Sequence, residues 1–288
     1  MRRVRTYHEV PDEERASLPA QVAAQRERLG ARLAPVRHVV AVMSGKGGVG
    51  KSLVSAGLAA ALARAGRRVG VVDGDLHAPT AARMLGAVRG RLEVGALGVA
   101  PATTPCGALV MSSDLLLPEG APLRWREPAE AAFVWRGALE AGMLREFLAD
   151  VGWGALDELL VDLPPGTERL SALVELVPRL AGAVVVTIPS EASYQAVRRA
   201  MAAARAAGVR LLGVVENMAA ASCAACGAAS VPFAGAAGER LARETGVELL
   251  ARIAFEPLLQ ATDGGATAAA AEALAPAAAA LVERLEAA

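Results

Sequence analysis

Lysine is nearly missing from this 288-residue chain. Only Lys46 and Lys51 stand among its 30 basic residues; all the others are arginine. Asparagine occurs once, as Asn217, and aromatic residues make up 3%. Alanine supplies 67 residues. With arginine filling basic positions almost without exception, a lysine that remains marks a place where arginine does not serve. Net charge is missing too: 30 basic residues meet 30 acidic ones, so no basic surface advertises a nucleic-acid partner. No run of about 18 apolar residues exists, which argues against a membrane-spanning helix. The basic start, Met1 to Arg5, runs into Glu9, Asp12, Glu13 and Glu14, where a secretory signal needs an apolar core. The expected location is cytoplasmic, with no nucleic-acid and no membrane partner. Three cysteines, Cys106, Cys223 and Cys226, are too few for a disulfide framework.

What is present is a folding composition, 54% hydrophobic and 21% charged. Residues 12–34 are polar and helix-prone, so 1–37 are expected to form an N-terminal helical arm. Short apolar runs follow at His38–Met43, Arg68–Val72, Ala108–Met111, Glu158–Val161, Ala183–Ile188 and Leu211–Val215, with a weaker one near Leu249–Ala254. They do not alternate, as expected of strands buried on both faces. Ala-rich segments of helical length separate most of them. The expected fold is therefore α/β: a mainly parallel sheet of about seven or eight strands with helices on both faces, spanning 38–288. The Ala-rich tail, Ala266–Ala288, is expected to be a packed C-terminal helix, kinked or restarted at Pro276. It lacks the cationic and aromatic faces of a membrane-surface helix.

Both lysines fall in one segment, Gly45-Lys46-Gly47-Gly48-Val49-Gly50-Lys51-Ser52. It matches the phosphate-loop pattern, with an apolar strand leading in and a helical stretch, Leu53–Ala65, leading out. Glycines let backbone N–H groups turn inward around a phosphate, and the helix N-terminus adds the positive end of its dipole. Lys51 is expected to bridge the β- and γ-phosphates of ATP, and the Ser52 hydroxyl to bind Mg²⁺. Lys46 is a second cation that one nucleotide in one subunit does not explain. It is read as a charge that reaches phosphate across a dimer interface.

Asp73 and Asp75 close the second strand, and Asp162 closes the strand Leu159-Leu160-Val161. Ligands of open parallel sheets sit at these carboxyl ends, and Asp73 and Asp162 are expected around Mg²⁺. Pro164-Pro165-Gly166 then forms a switch segment near the γ-phosphate. Asn217 ends the strand Leu211–Glu216. Its amide suits an adenine edge, though it also suits a turn or cap.

Cys223 and Cys226 form a CxxC pair in a small-residue loop near 218–230. Zinc and cubane clusters normally take four ligands. One chain brings one close pair, and a symmetric dimer would complete the set. A redox dithiol and two unligated residues are the other readings of the same spacing. Cys106 reads as a small apolar residue.

The two-lysine loop SGKGGVGKS, the segments VDGDLHAPT and VDLPPGT, and ENM followed by CxxC together resemble the Mrp/ApbC group. These are deviant Walker A ATPases related to MinD, ParA and nitrogenase iron protein. Supporting stretches are Phe133-Val134-Trp135-Arg136-Gly137 and Ile253–Gly265, and the likeness covers about 36–288. The resemblance implies a weak ATPase that works as a homodimer. It would hold a 4Fe–4S cluster between Cys223 and Cys226 of both subunits and pass it to apo-proteins. It also implies that Lys46 acts across the dimer and that Asp75 positions the attacking water. This chain departs from the family where PPGT continues as Glu168-Arg169 rather than Gly-Asp, and where Ala78 replaces a glycine. Two other functions compete: a MinD/ParA-like positioning ATPase, and a nucleotide-binding assembly protein with a structural Cys₄ zinc site.

Overall fold

The computed structural model describes residues 12–87, 93–95, 98–117, 132–166, 168–222, 226, 228–255 and 265–287. In chain order the elements begin α1 (Asp12–Leu33), β1 (Val36–Ser44), α2 (Lys51–Arg64), β2 (Val69–Asp73) and α3 (Ala81–Met84). A small hairpin, β3 (Val94–Gly95) and β4 (Gly98–Val99), precedes β5 (Ala102–Thr103) and β6 (Leu109–Met111). Then come α4 (Ala132–Ala149), β7 (Leu156–Asp162), α5 (Glu168–Leu176), β8 (Leu180–Thr187), α6 (Glu191–Ala206) and β9 (Leu211–Glu216). A second hairpin, β10 (Ala221–Ser222) and β11 (Ala229–Ser230), leads to α7 (Ala237–Thr245), β12 (Leu249–Arg252) and α8 (Gly265–Glu286).

Eight strands form the main sheet in the order β12-β9-β8-β1-β7-β2-β6-β5. Only β5 runs antiparallel to its neighbour. Every apolar run expected to be a strand lies in this sheet. The reason is visible in β1, where successive residues go to opposite cores. Val40 and Val42 join one cluster with α2, α3 and α8. Val39, Ala41 and Met43 join another with α4, α5, α6 and α7. A strand buried on both faces shows no polar alternation, so its run reads as continuous.

The register sets up the site. Asp73 on β2 pairs with Asp162 on β7, so two carboxylates stand side by side where those strands end. Because the strands are parallel, the ends of β1, β2, β7 and β9 that carry the motif residues share one edge of the sheet.

The tail forms one helix, α8, which runs through Pro276 without a restart. Its buried stripe is Ala270, Ala271, Leu274, Ala277, Ala278, Leu281 and Leu285, at helical spacing. Pro276 lies on the solvent side of that stripe. Packing of the stripe against α2 holds the helix across the lost backbone donor. Among the described residues no helix is long and apolar enough to cross a membrane.

Candidate functional site

The loop from Gly45 to Gly50 joins β1 to α2 at the carboxyl edge of the sheet. Gly50 caps α2 with φ 79°, and a Cβ there would stand 2.1 Å from Asn217 Nδ2. Only glycine meets both conditions. Gly45 is held by a neighbour instead: a Cβ would come within 2.4 Å of the Ala196 backbone on α6. Ser44 Oγ donates to the Lys46 carbonyl at 3.0 Å and closes the start of the loop. The Lys46 side chain is half-buried.

Lys51 opens α2 and is buried. Its ammonium donates to Asp162 Oδ1 at 2.6 Å. Ser52 Oγ donates to Asp162 Oδ2 at 2.6 Å, and Ser55 Oγ donates to Oδ1 at 2.7 Å. Three side chains from one helical turn thus converge on one carboxylate, which is itself fully buried. A buried ammonium needs a counter-charge, and here Asp162 supplies it.

Asp73 is also fully buried. Its Oδ2 accepts from Ser112 Oγ and from the Ala81 amide, each at 3.0 Å, and its Oδ1 accepts from the Asp75 amide at 3.2 Å. Burial, and then the charge of Asp162 beside it, push the Asp73 carboxyl up to about 7. Asp75 is half-exposed, and its Oδ1 accepts from the Ala78 amide at 3.2 Å. Hydroxyl and carboxylate oxygens of this kind are the hard donor set that suits Mg²⁺.

Asn217 is buried, and its Nδ2 donates to the Val49 carbonyl of the loop at 3.0 Å. The adenine expectation did not foresee this contact. One amide hydrogen is spent on the loop backbone. The next residue, Met218, has φ 56° and is the sole non-glycine at positive φ among the described residues. The chain then enters the β10–β11 hairpin. It is tied to the sheet edge by the Ala219 amide donating to Ile253 and the Phe255 amide donating to Ala220. Cys226 sits exposed in the turn of that hairpin. Cys223 and Thr167 lie outside the described residues, and so does most of 253–265. Cys106 is half-buried, with its Sγ 3.2 Å from Thr104 Oγ1.

A cleft of about 620 Å³ opens beside Asp75. His77, Glu140, Arg169 and Pro164-Pro165-Gly166 line it. His77 Nε2–H donates to Glu140 Oε1 at 2.6 Å, and the Arg169 guanidinium ion-pairs with Glu140 Oε2. Sequence reading missed Ser55, Ser112, His77 and Glu140. Ser55 had a signal, since it follows Lys51 by four residues and must share its helix face. Glu140 had none: a glutamate within a helix reads as solvated.

A family model described as ParA, the NUBPL iron-transfer P-loop NTPase, matches residues 35–286. An iron-sulfur cluster carrier protein of Saccharolobus solfataricus is 41% identical over 248 residues, covering 85% of this chain and 80% of the relative. The human cytosolic Fe-S cluster assembly factor NUBP2 is 40% identical, covering 80% of this chain and 83% of its own. Among solved structures, a nucleotide-binding protein from Archaeoglobus fulgidus in complex with ADP superposes with a TM-score of 0.70. It is 36% identical and is matched over 84% of this chain and 92% of its own. The chain belongs to the ParA/NUBPL-type family of iron-transfer P-loop NTPases.

Proposed function

We propose that the protein is an ATP-binding and weakly ATP-hydrolysing carrier that takes up a 4Fe–4S cluster and transfers it to apo-proteins. It works as a homodimer in the cytoplasm, with the cluster bridged by Cys223 and Cys226 of both subunits. The observation that carries this reading is the pairing of two sites on one segment. Asn217 holds the phosphate loop, and nine residues later the same segment presents an exposed thiol, Cys226. The carrier names of the relatives point the same way.

In this reading ATP takes over the charge that Asp162 now supplies. Lys51 turns from Asp162 to the β- and γ-phosphates, and the loop amides from Gly45 to Ser52 surround the same oxygens. That frees Asp162, which with Ser52 and Asp73 would hold Mg²⁺; the ion would neutralise charge on the phosphates. Asp75, half-exposed at the rim, orients the water that attacks the γ-phosphorus; ADP and phosphate leave. Lys46 adds a second positive charge from the partner subunit. The protein contributes placed charge rather than covalent chemistry, consistent with slow turnover. Asn217 faces the adenine with its second amide hydrogen.

Anaerobic reconstitution with iron and sulfide tests the reading. The expected result is iron and sulfide in a four-to-four ratio per two chains, lost in a Cys223→Ala/Cys226→Ala variant. Cluster uptake by that variant, or zinc alone in freshly purified anaerobic protein, overturns it.

A further inference from the structure

Glu140 is an acidic side chain on α4 that is almost wholly buried, 9% exposed, in a cleft whose other walls carry the nucleotide chemistry. Burying a carboxylate is costly unless it is paired and hydrogen-bonded. Among the described residues Glu140 has two partners, and they come from different walls. His77 stands in the segment after β2, two residues beyond Asp75. Arg169 stands in the first turn of α5, just past Pro164-Pro165-Gly166. One carboxylate therefore joins the segment after β2 to the start of α5.

The His77 side of the bridge is stiff. Asp75 Oδ1 accepts from the Ala78 amide, and the Asp75 amide donates to Asp73 Oδ1, so residues 73–78 form a closed turn. Moving His77 moves that turn, and Asp75 with it. The Arg169 side is a charged contact between two helices, α4 and α5, both of which pack into the same apolar core. The bridge thus runs from Asp75 through His77 and Glu140 to Arg169.

We propose that Glu140 is a positioning residue. Its paired contacts to His77 and Arg169 set where Asp75 stands relative to the Pro-Pro-Gly segment, and so set the rate of ATP hydrolysis. The catalytic half of this inference rests on the function proposed above; the bridge itself does not. Effects of roughly tenfold are expected, because displacements of an ångström in a reacting geometry cost up to about a hundredfold.

Two measurements on the full chain test it. The first is amide hydrogen exchange in Arg169→Ala. Arg169 pairs with Glu140, and Glu140 with His77, so the bridge predicts that loss of the guanidinium is felt at residues 74–78. We expect faster exchange in both 74–78 and the start of α5, with Arg169→Lys close to wild type. Unchanged exchange at 74–78 in Arg169→Ala overturns the bridge, whatever the protein does with ATP. The second is steady-state ATP hydrolysis by Glu140→Gln, which keeps the shape and removes the charge. We expect kcat to fall roughly tenfold with KM for ATP within about twofold, because the phosphate-loop contacts are untouched. A kcat equal to wild type, with exchange altered, overturns the positioning role. A wild type that hydrolyses no ATP overturns the catalytic reading itself, and the exchange result still decides the bridge.

Discussion

Lys51 is the point at which the site is most tightly determined. Its ammonium shares one carboxylate with two hydroxyls, all within 2.6–2.7 Å. A compact point charge fits that space, and the broad planar fork of arginine does not. Lys51→Arg should therefore weaken ATP binding on the order of 100-fold, about 2.7 kcal/mol. Lys46 is only half-buried in the loop, so Lys46→Arg should bind ATP nearly as wild type but hydrolyse it more slowly. Equilibrium binding and steady-state turnover read the two effects separately, and normal turnover in both variants would mean that the lysines are compositional accidents. Asp73 offers a test by pH. Its folded value, about 7, is above the unfolded 3.8, so its contribution to stability is fully present below the unfolded value and is lost as pH rises through about 7. Asp73→Asn does not titrate. In nucleotide- and metal-free protein, the stability of wild type minus that of the variant should fall by roughly 1–2 kcal/mol between pH 5.5 and 8.5. Hydrogen bonds lost in the variant shift that difference without tilting it, so a flat difference in urea titrations across the window contradicts the assignment. Residue types and their spacing around strand ends singled out Lys51, Ser52, Asp73 and Asp162, which the fold brings to one edge of the sheet. They did not find Glu140, whose importance comes wholly from partners 63 and 29 positions away in the chain.

Helix α2 shows how an element can be legible while its packing is not. The phosphate loop announced its start and the Ala-rich run its length. That it lies against α8 was not visible, because two alanine-rich stripes look alike from either side. The contact is close: a Cβ on Gly57 would stand 2.6 Å from Leu274 Cδ1, 2.9 Å from Ala270 Cβ and 3.2 Å from the Ala270 carbonyl. In an isolated helix Gly→Ala gains about 1 kcal/mol. Here the Leu274 tip can rotate away, but Ala270 Cβ is fixed to its backbone, and overpacking of this kind costs about 1–3 kcal/mol. Gly57→Ala should lower the urea midpoint by the equivalent of about 1 kcal/mol with an unchanged slope. A gain in stability would show that α8 can slide away without cost. Pro276 signals a kink or a restart; α8 continues through it, with the proline on the solvent side and the packed stripe opposite. The strands were legible for the opposite reason: burial on both faces writes them into the sequence as uninterrupted apolar runs. Two-residue strands such as β5 leave no such trace.

At the scale of the whole molecule, the site belongs to no single element. Side chains from β1, α2, β2, β7 and β9 meet at one edge of the sheet, and the loop backbone presses against α6. Lys51, Ser52 and Ser55 of α2 are satisfied by Asp162 of β7, which ties the helix to the sheet across more than a hundred residues of chain. ATP and Mg²⁺ would replace that tie with a larger one made to the same elements. Binding should therefore stabilise the molecule as one cooperative unit rather than one lobe of it. At a ligand concentration about 100 times Kd, the gain is about 2.7 kcal/mol, which corresponds to a rise in Tm on the order of 5 °C for a chain of this size. Far-UV circular dichroism reports the helices, and tryptophan fluorescence includes Trp153, which is buried in the core beneath α4. Both midpoints should rise together in wild type, and by no more than about 1 °C in Lys51→Arg at the same ATP concentration. A shift in one probe alone would mean that the nucleotide stabilises only the edge of the sheet it touches.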